Sequence, residues 1–91
     1  MRSNGSLYAV RDTVAQLLVG GIQLHRHEAA AIRTFGDIAT MKGSVVQMHP
    51  TDFELVRLGH LDDDNQLVPD FAVIMTGAAW LATQAPATDE G

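Results

Sequence analysis

The stretch Glu28–Lys42, EAAAIRTFGDIATMK, decides the fold class of this 91-residue chain. Its apolar side chains recur at intervals of three and four residues and fall on one stripe of a helix: Ala31, Ile32, Phe35, Ile38, Ala39. Glu28 in the first turn and Lys42 in the last complement the helix dipole, and Gly43 suits a left-handed end. The pattern predicts an amphipathic helix with one face on a sheet.

Two strands are predicted before this helix. Ser6–Arg11, SLYAVR, is rich in residues that favour strands, and Val14–Leu24, VAQLLVGGIQL, follows after a turn. Gly20 and Gly21 interrupt the second segment, and paired glycines inside a helix would cost about 2 kcal/mol relative to alanine. We therefore expect a strand with a bulge or a sharp bend at the two glycines.

Two more strands and a hairpin are predicted after the helix. Asp52–Leu61 reads DFELVRLGHL, the acidic turn Asp62–Asn65 follows, and Gln66–Met75 returns along it. Gly59 indicates a bulge in the third strand, and Pro69 places the fourth at a sheet edge because proline cannot donate a ladder hydrogen bond.

The order β-β-α-β-β predicts an α+β fold, a small antiparallel sheet with one helix packed on it. A short helical turn over Ala78–Ala82 carries Trp80. We expect one domain over residues 1–82 and a disordered acidic tail over 83–91.

Charge is unevenly distributed along the chain. The formal net charge is −5, yet all six basic residues precede residue 62, and residues 62–91 carry six acids and no base. This balance does not favour general attraction to nucleic acid. With no cysteine, no apolar leader and no membrane-spanning run, we expect a protein of the cytoplasm that does not enter membranes.

No catalytic or metal-binding pattern stands out in the sequence. His25 and His27 are spaced to share one side of an extended segment, but no third ligand follows at a recognisable spacing. Asp52 and Glu54 share one face of the predicted strand, but no nucleophile–base pair accompanies them. We expect a protein that is not an enzyme and uses neither a metal nor a cofactor.

Three ordered segments carry a resemblance to a known family. They are Tyr8-x-Val10-x-Asp12, Ala31-Ile32-Arg33-x-Phe35-x-Asp37 and His49-Pro50-x-Asp52-Phe53-Glu54-Leu55-x-x-Leu58-Gly59. In this order they resemble the small nonstructural protein of the gokushoviruses, which are single-stranded-DNA phages of the microvirus group. That protein is regarded as the counterpart of the DNA packaging protein C of other microviruses.

The resemblance implies a non-enzymatic protein that binds single-stranded viral DNA in the bacterial cytoplasm. Such a protein would divert replication towards single strands destined for capsids. A second hypothesis is an interaction module that docks on a capsid, scaffold or replication protein. A homo-oligomer would suit either function, because it adds stability to a small domain and doubles a weak binding patch.

Single-strand binding needs cations for phosphates and rings for bases. The candidate phosphate ligands are Arg11, Arg26, Arg33 and Arg57, and the candidate stacking residues are Tyr8 and Trp80. Neighbouring strands are expected to bring Arg11, Arg26 and Arg57 together on one face of the sheet. Alternatively, the arginines are solvated surface and the aromatic rings belong to the core.

Overall fold

A computed structural model describes residues 4–84 of the chain. In chain order its elements are β1 Ser6–Asp12, β2 Leu17–His25, α1 Glu28–Thr40, α2 Val45–Met48, a 3-10 turn Pro50–Asp52, β3 Phe53–Leu61, β4 Leu67–Thr76 and α3 Gly77–Gln84. The predicted α+β class is confirmed, with the four strands and the main helix in the predicted order.

The four strands form one antiparallel sheet in the order β2-β1-β3-β4. The long connection through α1 carries the chain from edge strand β2 across β1 to β3. Strand β4 lies at the other edge, so Pro69 has the predicted edge position. One face of the sheet carries α1, and we call the opposite face the open face.

The core lies between α1 and the sheet. Alternation along β1 directs Tyr8 and Val10 towards the helix. The buried helix residues Ala31, Phe35 and Ala39 belong to the same core cluster. Phe35 is 1% exposed. The predicted apolar stripe is thus the packing face, and burying it holds the two layers together.

The strand register shifts at two positions where glycines in the sequence predicted a bulge. Tyr8 pairs with Gln23 but Val10 pairs with Val19, so β2 loops out around Gly20, which has a φ of 73°. The bulge expected there is confirmed. In β3 a second register shift lies beside Gly59, where an added Cβ would meet the Val68 carbonyl oxygen at 2.6 Å.

Helix α3 starts directly after β4 and folds back towards α1. A Cβ on Gly77 would overlap the Pro50 carbonyl group, so only glycine fits where the chain turns. The Trp80 ring is partly buried against the core and lies over Gly36 of α1. Because α3 runs to Gln84, residues 83 and 84 of the predicted tail are helical, and the rest of that tail lies outside the described residues.

Candidate nucleic-acid interface

Arg11 lies on the open face in an ion pair. Its Nη1 donates to Glu54 Oε2 at 3.1 Å, and the Glu54 side chain is 11% exposed. The two residues are opposite each other in the β1–β3 ladder, so the strand register itself brings the charges together. Arg11 therefore neutralises a largely buried carboxylate.

Arg57 lies on the other face, beneath the start of α1. Its Nη1 is 3.7 Å from Glu28 Oε1, and its Nη2 donates to Asp70 Oδ1 at 3.3 Å. The Asp70 carboxylate also lies 3.2 Å from His60 Nδ1. Arg57 is thus held between two carboxylates in a small network on the helix side of the sheet.

The expected cluster of Arg11, Arg26 and Arg57 on one sheet face is wrong. Arg57 pairs with Tyr8 in the ladder whereas Arg11 pairs with Glu54. Positions 8 and 11 point to opposite faces because side chains alternate along a strand. Arg26 lies beyond the end of β2, in the connection to α1.

The remaining described cations are all exposed and flank or lie on α1. They are Arg26 before the helix, Arg33 within it and Lys42 just after it. Within residues 4–84 none of the three forms an ion pair, unlike Arg11 and Arg57. The segment 26–42 carries three cations and two carboxylates, and one of these, Glu28, contacts Arg57.

Arg33 occupies the outermost position of α1. At about 100° per residue it is roughly opposite the buried stripe of Ala31 and Phe35. Asp37 lies one turn further along the same outer side, but no ion pair joins the two within the described residues. The Arg33 guanidinium is therefore available to a ligand that lies across the helix.

A groove separates α1 from edge strand β2, and we call it the β2–α1 groove. Its walls are mostly apolar, with polar side chains towards the end near Arg26: Tyr8, Ala9, Val10, Val19, Gly20, Gly21, Gln23, His25, Ala31, Thr34, Phe35, Ile38, Leu55. An apolar extension continues towards Val45 and Val46 of α2. A Cβ added at Gly20 or Gly21 would meet nothing within 4 Å, so the bulge leaves this side of the groove wide.

At the polar end of the groove, one side-chain nitrogen of Gln23 and one of His25 have no hydrogen-bond partner within the described chain. His25 Nε2 and Gln23 Oε1 are 2.9 Å apart, and the His25 ring centroid is 5.9 Å from that of Tyr8. The amide nitrogen of Gln23 has no hydrogen bond within the described chain, nor does Nδ1 of His25. These polar atoms can therefore form hydrogen bonds with a ligand at this end of the groove.

The two predicted stacking residues are both packed within the protein. Tyr8 is 4% exposed and is part of the core, so its ring has no free face for a base. Trp80 is partly buried and packs over Gly36. The exposed aromatic ring of the described residues is that of Phe71, at 58%, on the open face.

Two groove residues escaped the sequence prediction, namely Gln23 and His25 as a pair. Both lie on the helix side of β2, since Gln23 pairs with Tyr8 and His25 with Ser6. Two polar residues at alternate positions on the side that should face a helix indicate that the helix does not cover that end. The sequence contains this alternation, but its meaning is clear only when it is known which side chains of β2 face the helix.

The described residues give no sign of a metal site or of a membrane span. No group of three or more potential metal ligands occurs among residues 4–84. His25 and His27 belong to no such group. In the same range no helix is long and apolar enough to cross a membrane.

Comparison with known proteins relates this architecture to a phage family. The family model described as Phage ORF5 protein matches residues 5–79. The chain belongs to the Phage ORF5 protein family. The match runs from the start of β1 into α3, so the groove and the segment 26–42 lie within the family region. Searches of curated proteins and of solved structures give no match.

Proposed function

We propose that this Phage ORF5 family protein binds single-stranded viral DNA without catalysing a reaction. It would act in the host bacterial cytoplasm, in the switch to single-strand synthesis and in genome packaging. Membership of a phage family supports the phage setting, and the resemblance of its three sequence segments supports the DNA ligand.

The observation that carries the proposal is the separation of paired from unpaired cations. Arg11 and Arg57 are neutralised by neighbouring carboxylates, whereas Arg26, Arg33 and Lys42 are exposed and form no ion pair within residues 4–84. Phosphates bind best to cations whose charge is not already compensated. A single strand is therefore expected to run along the outer side of α1.

The β2–α1 groove adds a place for a base beside this track. Arg26 directly follows His25, so a phosphate held by Arg26 would leave its base near the polar end of the groove. The His25 ring and the Gln23 amide can then stack on or bond to the base. Duplex DNA would not enter the groove, because its bases are already paired and stacked.

The test is binding of a fluorescent oligothymidine, followed by anisotropy at two salt concentrations with duplex as competitor. Wild-type protein is expected to bind the single strand and to lose affinity as salt rises, because phosphate contacts release counterions. The variants Arg26→Gln and Arg33→Gln should each weaken binding by about threefold to tenfold and flatten the salt dependence.

Arg11→Gln is the matched control, since it removes the same charge from the open face. Its affinity should remain within about twofold of wild type once folding has been checked by circular dichroism. An equal loss in Arg11→Gln would show that net charge alone is responsible and would contradict the proposed track. Absence of wild-type binding at low salt would exclude the proposal altogether.

The second candidate function is docking on another phage protein, and the apolar character of the open face favours it. Phe71 and Ile22 are 58% and 57% exposed there. If the protein does not bind DNA, pull-down with purified phage coat and replication proteins decides this candidate. Capture that is lost in Ile22→Lys but kept in Arg33→Gln would support docking through the open face.

A further inference from the structure

We propose that a second copy of this chain covers the open face of the sheet, giving a dimer in which both α1 helices point outwards. The inference does not rest on DNA binding. Four-stranded sheets usually bury one face on a helix and leave the other polar. Here the second face is apolar as well.

The ladder register defines the side chains of the open face. Ala9 lies between the helix-facing Tyr8 and Val10, so it points the other way, and it pairs with Val56, which pairs with Val73. The same alternation assigns further residues to this face: Leu7, Arg11, Leu18, Ile22, Leu24, Glu54, Phe71. Neither Ala9 nor Val56 belongs to the core cluster beneath α1.

The large apolar side chains of this face are exposed in the single chain. Ile22, Leu24, Phe71 and Val73 are between 46% and 58% exposed. They belong to the two edge strands, β2 and β4, and between them Ala9 and Val56 are only 4% and 0% exposed. Covering these exposed apolar side chains is favourable by about 25 cal/mol per Å² of apolar surface removed from water.

The outline of the face is at the lower limit for a biological interface. Four strands spaced about 4.8 Å apart give a width of about 19 Å, and strands of about eight residues give a length of about 27 Å. The footprint is thus about 500 Å² on each copy, or about 1,000 Å² for two, which is the minimum for a biological interface and below the roughly 1,200 Å² at which stable ones begin. Side chains that project from the sheet add to this area.

Charge favours a second copy on this face over a contact elsewhere. The chain has a net charge of −5, so two copies repel each other on most approaches. The open face carries a single charged pair, Arg11 with Glu54, joined at 3.1 Å and therefore neutral. Two identical copies can meet there without opposing like charges, and the contact removes apolar surface from both.

The test is sedimentation velocity on the full chain without DNA, from about 1 μM to about 100 μM, the range in which modest interfaces dissociate. We expect a species of twice 9.8 kDa. Ile22→Lys and Val73→Lys should each raise the dimer dissociation constant by at least about tenfold, because each places two cations across the contact. Two sites are used so that misfolding of one variant does not decide the result.

Met48→Lys is the matched control, because Met48 is 58% exposed, against 57% for Ile22 and 46% for Val73, but lies in α2 on the helix side. It should dimerise like the wild type. The proposal is overturned if the wild type stays monomeric throughout, or if Met48→Lys dissociates the dimer while the two open-face variants do not. A monomer that binds a coat protein through Ile22 would also overturn it, in favour of a foreign partner.

Discussion

At the scale of single residues, close packing restricts this small protein most where the backbone turns. Gly77 joins β4 to α3 with its α-carbon against the Pro50 carbonyl, and Gly59 approaches the Val68 carbonyl across the β3–β4 ladder. Gly21, in contrast, has open space where a Cβ would lie. The three glycines therefore differ in what they tolerate.

Gly77→Ala is expected to destabilise the fold by about 2 kcal/mol or more, since the new methyl group must displace the Pro50 segment. Urea unfolding followed by circular dichroism measures the loss. Gly21→Ala provides the comparison and should change the free energy of unfolding by no more than about 0.5 kcal/mol. Equal effects of the two changes would contradict the close approach at Gly77.

At the scale of elements, one side chain joins two helices. The Ser44 hydroxyl donates to the Ile38 carbonyl near the end of α1, at 2.6 Å, and accepts from the Gln47 N–H at the start of α2, at 3.0 Å. It thus caps the first turn of α2 and is a second partner of the Ile38 carbonyl, which also accepts the Met41 N–H. The position of Val46, which is 1% exposed in the core, depends on this connection.

Ser44→Ala should cost about 1 to 2 kcal/mol, because α2 loses its N-cap and the Ile38 carbonyl loses one of its two partners. Hydrogen exchange should show faster exchange at the Gln47 amide and in the last turn of α1, while β3 amides change little. Ser44→Thr keeps the hydroxyl and should retain most of the stability. A uniform increase in exchange over the whole sheet would contradict this local role.

At the scale of the whole molecule, the unpaired cations of residues 4–84 lie apart from an acidic turn. Arg26, Arg33 and Lys42 accompany α1, whereas the β3–β4 turn carries Asp62, Asp63 and Asp64. Asp62 stabilises the turn, since its Oδ1 accepts hydrogen bonds from the Asp64 and Gln66 N–H groups, both at 2.9 Å. Asp63 and Asp64 remain exposed on the turn and repel any polyanion that approaches this end.

Asp63→Asn with Asp64→Asn is expected to tighten single-strand binding by about twofold to fivefold at low salt, with the gain shrinking as salt rises. Anisotropy measures it, and an unchanged melting temperature shows that the turn is intact. Asp62→Asn alone is a control, because it weakens the turn and removes one negative charge where the double variant removes two. A gain that persists at high salt would contradict an electrostatic origin.

The sequence by itself determined the four strands and α1, because hydrophobic periodicity is a local property. The stripe from Ala31 to Ala39 specified a helix with one buried face, and Gly20 and Pro69 marked a bulge and an edge strand. Each of these features depends on residues close together in the chain. The family resemblance likewise rested on short ordered segments, and a phage family was confirmed.

Only the tertiary structure decided which charges are available. Arg11 and Arg57 are near each other in neighbouring strands, yet register and alternation send them to opposite faces, each against a carboxylate distant in sequence. The same register buried Tyr8 and left Phe71 exposed. Strand register is a non-local property, set by how the whole sheet packs on α1, so the pairing of charges and the apolar open face could not be obtained from local patterns.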